Sequence, residues 1–272
     1  MTSSGNDRFN AEAAAWDSNP DVRAASASAL QALLAAQPPL LKAQYRGDGT
    51  SPEGGGLDVL EIGCGTGLLT VLVAPHVRSI LAIDAAGGMI DALRLKLQGA
   101  GPDLRIDDGG DDARADAARR VIQPLNILLE DPEDPRLPPG APDGKRQKFD
   151  LVISHLTLHH IPDLKSLLST MYGCLRPGGQ IALTDFEDFG PEARKFHPEA
   201  KMFGVERHGI NAGWFAGLMK EAGFEDVNVS VAWTMEKEVE RYPGEWGHEK
   251  PQGAGLAKMD FPFLLCRGTR RN

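Results

Sequence analysis

Short apolar runs alternate with amphipathic stretches through the middle of the chain. Leu57, Val59, Leu60 and Ile62 form the first run, which reads as a buried parallel strand. Further runs of strand length fall at residues 79–83, 125–129, 148–154, 180–185, 227–233 and 261–266. Helical spacing lies between them. Met89, Ile90, Leu93 and Leu97 recur along residues 87–97, and Leu164, Leu167, Leu168 and Met171 along 163–175. A short helix is predicted over 211–222, closed by Gly223. This alternation predicts one α/β domain.

The flanks and gaps differ in character. Residues 1–7 are polar and expected to be disordered. Residues 8–20 carry Phe9, the alanine run at 13–15 and Trp16-Asp17. Residues 21–36 read as an amphipathic helix, with Val22, Leu30, Leu33 and Leu34 on one side and Pro38-Pro39 as its stop. Residues 47–56 form a Gly/Ser/Pro linker. Residues 99–120 (part loop, part short helix), 132–148 and 237–258 read as insertions around the acceptor side.

Composition narrows the function classes. A net charge of -9 argues against a general nucleic-acid binder, because phosphate affinity comes from clustered Lys and Arg. No stretch approaches the ~20 apolar residues of a membrane span, and the N-terminus does not read as a leader peptide. Cys64, Cys174 and Cys266 are too scattered for a disulfide framework or a zinc site. A cytoplasmic protein is the expectation.

The chemistry centres on Glu61-Ile62-Gly63-Cys64-Gly65-Thr66-Gly67. A strand breaks into three alternate glycines and resumes as the apolar start of a helix. A ligand can approach bare backbone at such a turn, and the helix directs its unpaired N–H groups there. The spacing is G-x-G-x-G, not the G-x-G-x-x-G of the dinucleotide fingerprint. The second strand ends at Asp84, about 20 residues past Gly63, where a carboxylate can accept from both hydroxyls of a ribose.

With F-D-L-V-I-S-x-L-x-L-H-H at 149–160 and L-R-P-G-G at 175–179, the chain resembles class I S-adenosylmethionine-dependent methyltransferases of the ubiquinone/menaquinone-biosynthesis type, over roughly residues 57–268. The resemblance implies a Rossmann-like, doubly wound seven-stranded sheet with the last strand antiparallel, and residues 1–46 as a helical extension or lid. It implies S-adenosylmethionine as cofactor. Gly63, Cys64, Gly65, Thr66 and Gly67 would line it and Glu61 would sit by its amino-acid end. Asp84 and neighbouring Ala85 would hold the ribose. Met89, Asp131 (with Glu130 as competitor) and Pro132 would lie at the adenine, Ser154 near the methionine portion, and Trp16 over the site.

Catalysis is less legible. A methyl sulfonium is already activated, so positioning supplies much of the rate, and a base is needed only when the acceptor atom must lose a proton. His197, His208 and Glu187, beyond the fifth strand, are the candidates for acceptor contact. His159, beside His160, reads either as packing below the pocket or as a base. No metal is expected, although Asp185, Glu187, Asp188, His197 and His208 include oxygen and nitrogen donors. Ser154-His155-Leu156-Thr157 stands where the related enzymes that methylate amide or base nitrogens carry an Asn-Pro-Pro-Tyr-type tetrapeptide. The reading is methyl transfer to the oxygen, nitrogen or carbon of a small organic acceptor. A protein substrate, a non-catalytic scaffold and a nicotinamide-dependent dehydrogenase are the alternatives.

Overall fold

The computed structural model describes residues 3–37, 56–99, 104–106, 120–140, 144–247, 250–251 and 255–272. Helices α1 (Ser3–Trp16) and α2 (Pro20–Ala36) come first. Then follow β1 (Asp58–Ile62), α3 (Leu68–Val73), β2 (Ser79–Asp84), α4 (Gly87–Gln98), β3 (Leu104–Ile106) and β4 (Arg120–Asn126). The chain continues through β5 (Phe149–His155), α5 (Leu164–Cys174), β6 (Leu175–Phe186), α6 (Ala212–Glu221), β7 (Phe224–Val239) and β8 (Ala257–Arg270).

These strands form one sheet in the order β3-β4-β2-β1-β5-β6-β8-β7. Strands β1 to β6 pair in parallel, and β8 runs antiparallel to both β6 and β7. The expected seven-stranded arrangement is therefore present, with the short β3 added at one edge. Order reverses between β1 and β5, which opens a crevice at the carboxyl ends of the strands.

Apolar side chains cover both faces. Leu60, Val152, Ile181 and Leu183 pack with Leu168 and Met171 of α5 and Phe215 and Met219 of α6. On the other face Val59, Ile80, Ala82 and Ile153 meet Ala29 and Leu33 of α2, Leu69 and Val73 of α3, and Ile90 and Leu93 of α4.

Several boundaries depart from the sequence reading. Helix α1 already begins at Ser3, inside the stretch expected to be disordered. The third expected strand lies earlier than 125–129: the ladder of β4 runs from Arg120 to Asn126, and Ile127 adds one more bond to Asp84. Beyond it the chain leaves the sheet and the Thr170 hydroxyl of α5 donates to the Glu130 carbonyl at 2.8 Å. The two final strands extend well past their apolar centres into a long hairpin. Residues 104–106 of the first insertion are strand, whereas 107–119 and most of the linker at 47–56 lie outside the described residues.

At the opposite end of the sheet, Asp58 on β1 gathers Arg78, the Ser79 hydroxyl and Arg176, the last at 2.7 Å. Asp150 accepts from the Asp58 amide at 2.8 Å and from Arg176 at 2.5 Å. Burial pushes the Asp58 carboxyl up, but its hydrogen bonds from Arg78, Ser79 and Arg176 outweigh that and hold it below its ordinary value of 3.8. Asp58→Asn should lower unfolding free energy by roughly 1–3 kcal/mol at neutral pH. A depressed native pKa stabilises above the unfolded pKa, so the gap between variant and wild type should narrow as the pH falls below 3.8 in urea titrations.

Candidate active site

The glycine turn is built from the ends of β1 and β2. The amides of Gly63 and Cys64 both donate to the Ile83 carbonyl, at 2.9 and 3.0 Å. Gly63 and Gly67 have φ of +73° and +80°; a Cβ would stand 2.4 Å from Thr157 at the first and 2.3 Å from Leu93 at the second. Gly65 differs. A Cβ there would meet nothing within 4 Å, so its bare face borders open space. The Gly65 amide donates to Asp84 Oδ2 at 2.9 Å, and the Ala86 amide to Asp84 Oδ1 at 2.8 Å. Each carboxylate oxygen keeps a further lone pair for a ligand. Burial raises the Asp84 carboxyl, with the Ala86, Gly65 and Ala85 amides opposing.

Glu61 lies beneath the turn, wholly buried, and accepts from the Thr70 hydroxyl at 2.6 Å. Burial pushes its carboxyl up to about 8.

The N-terminal helices cover this turn. Asp17 accepts from the Thr66 hydroxyl and pairs with Lys96 at 2.7 Å, while Lys96 also donates to the Thr66 carbonyl at 2.6 Å. Asn10 of α1 caps α4, accepting from the Gly88 amide at 2.8 Å. Phe9, Ala13 and Trp16 pack with Ala86 and Met89. What remains beneath them is a narrow cleft of about 80 Å³ lined by Phe9, Trp16, Glu61, Gly65, Asp84 and Met89, among others. That is well under the ~300 Å³ of a typical small-ligand site.

A larger chamber of about 970 Å³ adjoins it. Trp16, Val22, Leu156 and His160 line both spaces, so they form the partition. Leu156 holds φ at +53° immediately after β5, an unusual conformation for a residue with a branched side chain. The far wall comes from the β7–β8 hairpin and the insertion beyond it, with Met235, Lys237, Trp246 and Lys250. His159, His160 and His197 line the chamber together. His159 Nδ1 faces both oxygens of Asp185, at 2.8 and 3.0 Å, and Asp185 is wholly buried. The Asp185 carboxylate accepts from Nδ1–H and orients the ring, so the nitrogen left for another partner is Nε2.

The sequence-derived residues divide accordingly. Glu61, Gly63, Cys64, Gly65, Thr66, Asp84, Met89 and Trp16 line the cleft; Gly67 starts α3 and shapes the turn. Ala85 is not among the lining residues, and its neighbour Ala86 supplies the amide to Asp84. Ser154, expected at the methionine portion, is spent within the fold: its hydroxyl donates to the Ile62 carbonyl at 2.7 Å. Asp131 and Pro132, expected at the adenine, line neither space. Asp131 accepts from the Glu133 amide, and Pro132 packs against Gly173 of α5.

Of the acceptor-side residues, His159 and His197 reach the chamber. Glu187 and His208 are not among its lining residues; Glu187 pairs instead with Ile210 in an isolated bridge. The sequence reading missed the pairing of His159 with the Asp185 carboxylate.

A family model for a methyltransferase domain matches residues 22–229, and the chain belongs to that family. An uncharacterised methyltransferase of Mycobacterium bovis is 33% identical over 128 residues, 47% of this chain and 50% of the other. The malonyl-(acyl-carrier protein) O-methyltransferase of Paenibacillus sp. is 26% identical over 234 residues, 81% of this chain and 70% of the other. The chain spans about half the length of the uncharacterised relatives it matches. Among solved structures, the N-methyltransferase NodS of Bradyrhizobium japonicum, with S-adenosyl-L-homocysteine, aligns over 99% of this chain and 100% of that one. Its TM-score is 0.52 at 15% identity, a likeness of fold.

Glu61 gives a test that needs no ligand. Its folded pKa of about 8 exceeds the ordinary 4.5, so the folded chain holds a proton that the unfolded chain releases. Stability should therefore fall as pH rises from 4.5 to 8. Glu61→Gln should flatten that slope and unfold at higher denaturant than wild type at pH 8, the difference amounting to a few kcal/mol at ~1.4 kcal/mol per pKa unit. Parallel pH profiles for the two proteins would contradict the assignment.

Proposed function

We propose that this chain transfers a methyl group from S-adenosylmethionine to a small organic acceptor held in the chamber. One observation carries the reading: the glycine-turn cleft adjoins a second, larger space, with Leu156 and His160 lining both. A cofactor in the first would present its reactive end to an acceptor in the second.

The cleft's residues fit this cofactor. The bare face of Gly65 admits it, and Asp84 has acceptor capacity for a ribose diol. Glu61 becomes a counter-charge for an ammonium group once it gives up its proton. Phe9, Trp16 and Met89 offer apolar surface to a purine or a sulfonium-bearing chain. When bound, S-adenosylmethionine supplies an electrophilic methyl group and a neutral leaving group.

The chain's own task is then to orient and to exclude water. Helix α1 covers the cleft, and Asp17 clamps it to Thr66 and Lys96. The small volume of the covered cleft supports an outward swing of α1 when the cofactor enters. This motion deepens the expectation that residues 1–46 act as a lid on the domain at 57–268. An acceptor would lie against Leu156 and the histidines, hidden from bulk water.

A chamber walled on several sides favours a small molecule over a protein side chain or nucleic acid, as does the net charge of -9. The relatives' names include O- and N-methyltransferases, so the acceptor atom is not shared among them. All three cysteines are free and buried, in keeping with a reducing, cytoplasmic setting. No helix among the described residues is long and apolar enough to cross a membrane.

Loss of the Asp84 carboxylate tests the reading. Asp84→Ala removes hydrogen bonds to a charged acceptor worth ~1.5–3 kcal/mol. Affinity for S-adenosylmethionine should fall at least tenfold by calorimetry. Asp84→Asn, which keeps one carbonyl for the Gly65 amide, should fall less. Unchanged affinity in both would remove Asp84 from the site.

A further inference from the structure

His159 and His160 occupy the 3₁₀ turn Leu158–His160 directly after β5. His197 follows the 3₁₀ segment Pro191–Phe196 beyond β6. Two separate strand ends thus bring three imidazoles to one place. One ring nitrogen from each lies within 4.8 Å of the others. Ring centroids stand 3.9 Å apart for His159–His160, 5.0 Å for His159–His197 and 5.9 Å for His160–His197. With metal–nitrogen bonds of about 2.0–2.1 Å in tetrahedral geometry, imidazole centroids stand about 5 Å apart. One of the three spacings matches that figure, and the other two lie about 1 Å to either side of it.

The outer nitrogens are committed in the way metal-bound imidazoles require. His159 Nδ1 is held by the wholly buried Asp185, and His160 Nδ1 donates to the Gly204 carbonyl at 2.7 Å. Each partner engages Nδ1 and orients the ring, so Nε2 is the nitrogen left for a metal. His159 is 1% exposed, and its Nε2 has no hydrogen-bond partner among the described residues. His197 Nδ1 has none either.

Packing alone accounts poorly for this arrangement. His159 meets Phe186 edge-on, and Phe186 stacks on Phe196, so the cluster has an apolar backing. Yet each buried unpaired acceptor costs ~1–3 kcal/mol. A cation shared among the three imidazoles at the wall of the chamber would give His159 Nε2 the partner it lacks. The neighbouring positive charges do not forbid it. Lys237 pairs with Asp21 at 3.2 Å and Arg8 with Glu12 at 3.4 Å.

We propose that His159, His160 and His197 form a three-imidazole site for a first-row divalent cation such as Zn²⁺, with Asp185 orienting His159 and the open coordination positions facing the acceptor chamber. Imidazole donors select this class over Mg²⁺ or Ca²⁺, which take oxygen ligands. Three histidines with an open position also match the ligand set of catalytic zinc sites. His160 borders the cofactor cleft as well, so the cation would lie where cleft and chamber meet. Resting on the methyl-transfer reading, the site selects an acceptor that presents a hydroxyl, phenol or enol oxygen, whose acidity such a cation raises.

Cobalt titration tests this. The purified chain, dialysed against chelator, is titrated with Co²⁺ and followed by its visible d–d absorption. One equivalent should bind with the intense bands of low-coordinate cobalt, and excess Zn²⁺ should abolish them. His197→Ala and His159→Gln, each checked for folding by circular dichroism, should each weaken cobalt binding at least tenfold. Absence of a band in the wild-type chain, or a band that both folded variants retain, overturns the proposal. S-adenosylhomocysteine is titrated into the same samples. Cobalt bound without the adenosyl ligand would keep the metal site and defeat the methyl-transfer reading; the adenosyl ligand bound without cobalt would do the reverse.

Discussion

The whole site depends on one carboxylate. Asp84 ends β2 and holds two backbone amides, Gly65 in the glycine turn and Ala86 at the start of α4. Parallel pairing sets β1 beside β2 in register through Ile62 and Ile83, which brings the turn within reach of that carboxylate. The Ile83 carbonyl then takes the amides of Gly63 and Cys64. Turn, strand end and helix start are therefore tied together through hydrogen bonds. The buried charge of Asp84 is tolerable because amides solvate it, and the same arrangement aims acceptor oxygens at the space beside Gly65.

Everything that covers the site attaches to this unit. Asp17, Thr66 and Lys96 fasten the end of α1 to the glycine turn, and Asn10 fastens its middle to α4. On the other side Arg8 donates to the Lys201 carbonyl at 2.8 Å, and Asp21 reaches Lys237 on β7. The two N-terminal helices thus bridge the cofactor side and the acceptor side. These ties are polar and partly solvent-exposed, and such contacts contribute little singly. The sheet below, packed with fully buried aliphatic and aromatic side chains, is a rigid base by comparison.

Local features of the site were legible in the chain because they need only neighbours in sequence. The glycine turn, Asp84, the amphipathic helix near residues 20–36 and the order of strands all follow from short-range patterns. The start of β4 was not legible. Pro124 sits inside the ladder opposite Ala82, against the usual preference, and the apolar run continues through buried Ile127 and Leu129 after pairing has ended. Periodicity cannot say where along such a run the hydrogen bonds stop. The partnership of His159 with Asp185 was equally hidden, since it joins the ends of neighbouring strands and depends on their register. Sequence likewise could not show that His197 lines the chamber while His208 and Glu187, in the same stretch of chain, do not.

The central claim is that the glycine-turn cleft binds the adenosyl cofactor of methyl transfer. Isothermal titration of the purified chain with S-adenosylhomocysteine, set beside the same titration with NAD, tests it most directly. The account predicts one site for S-adenosylhomocysteine and no heat of binding for NAD. Binding of NAD alone would contradict it, and so would binding of neither ligand.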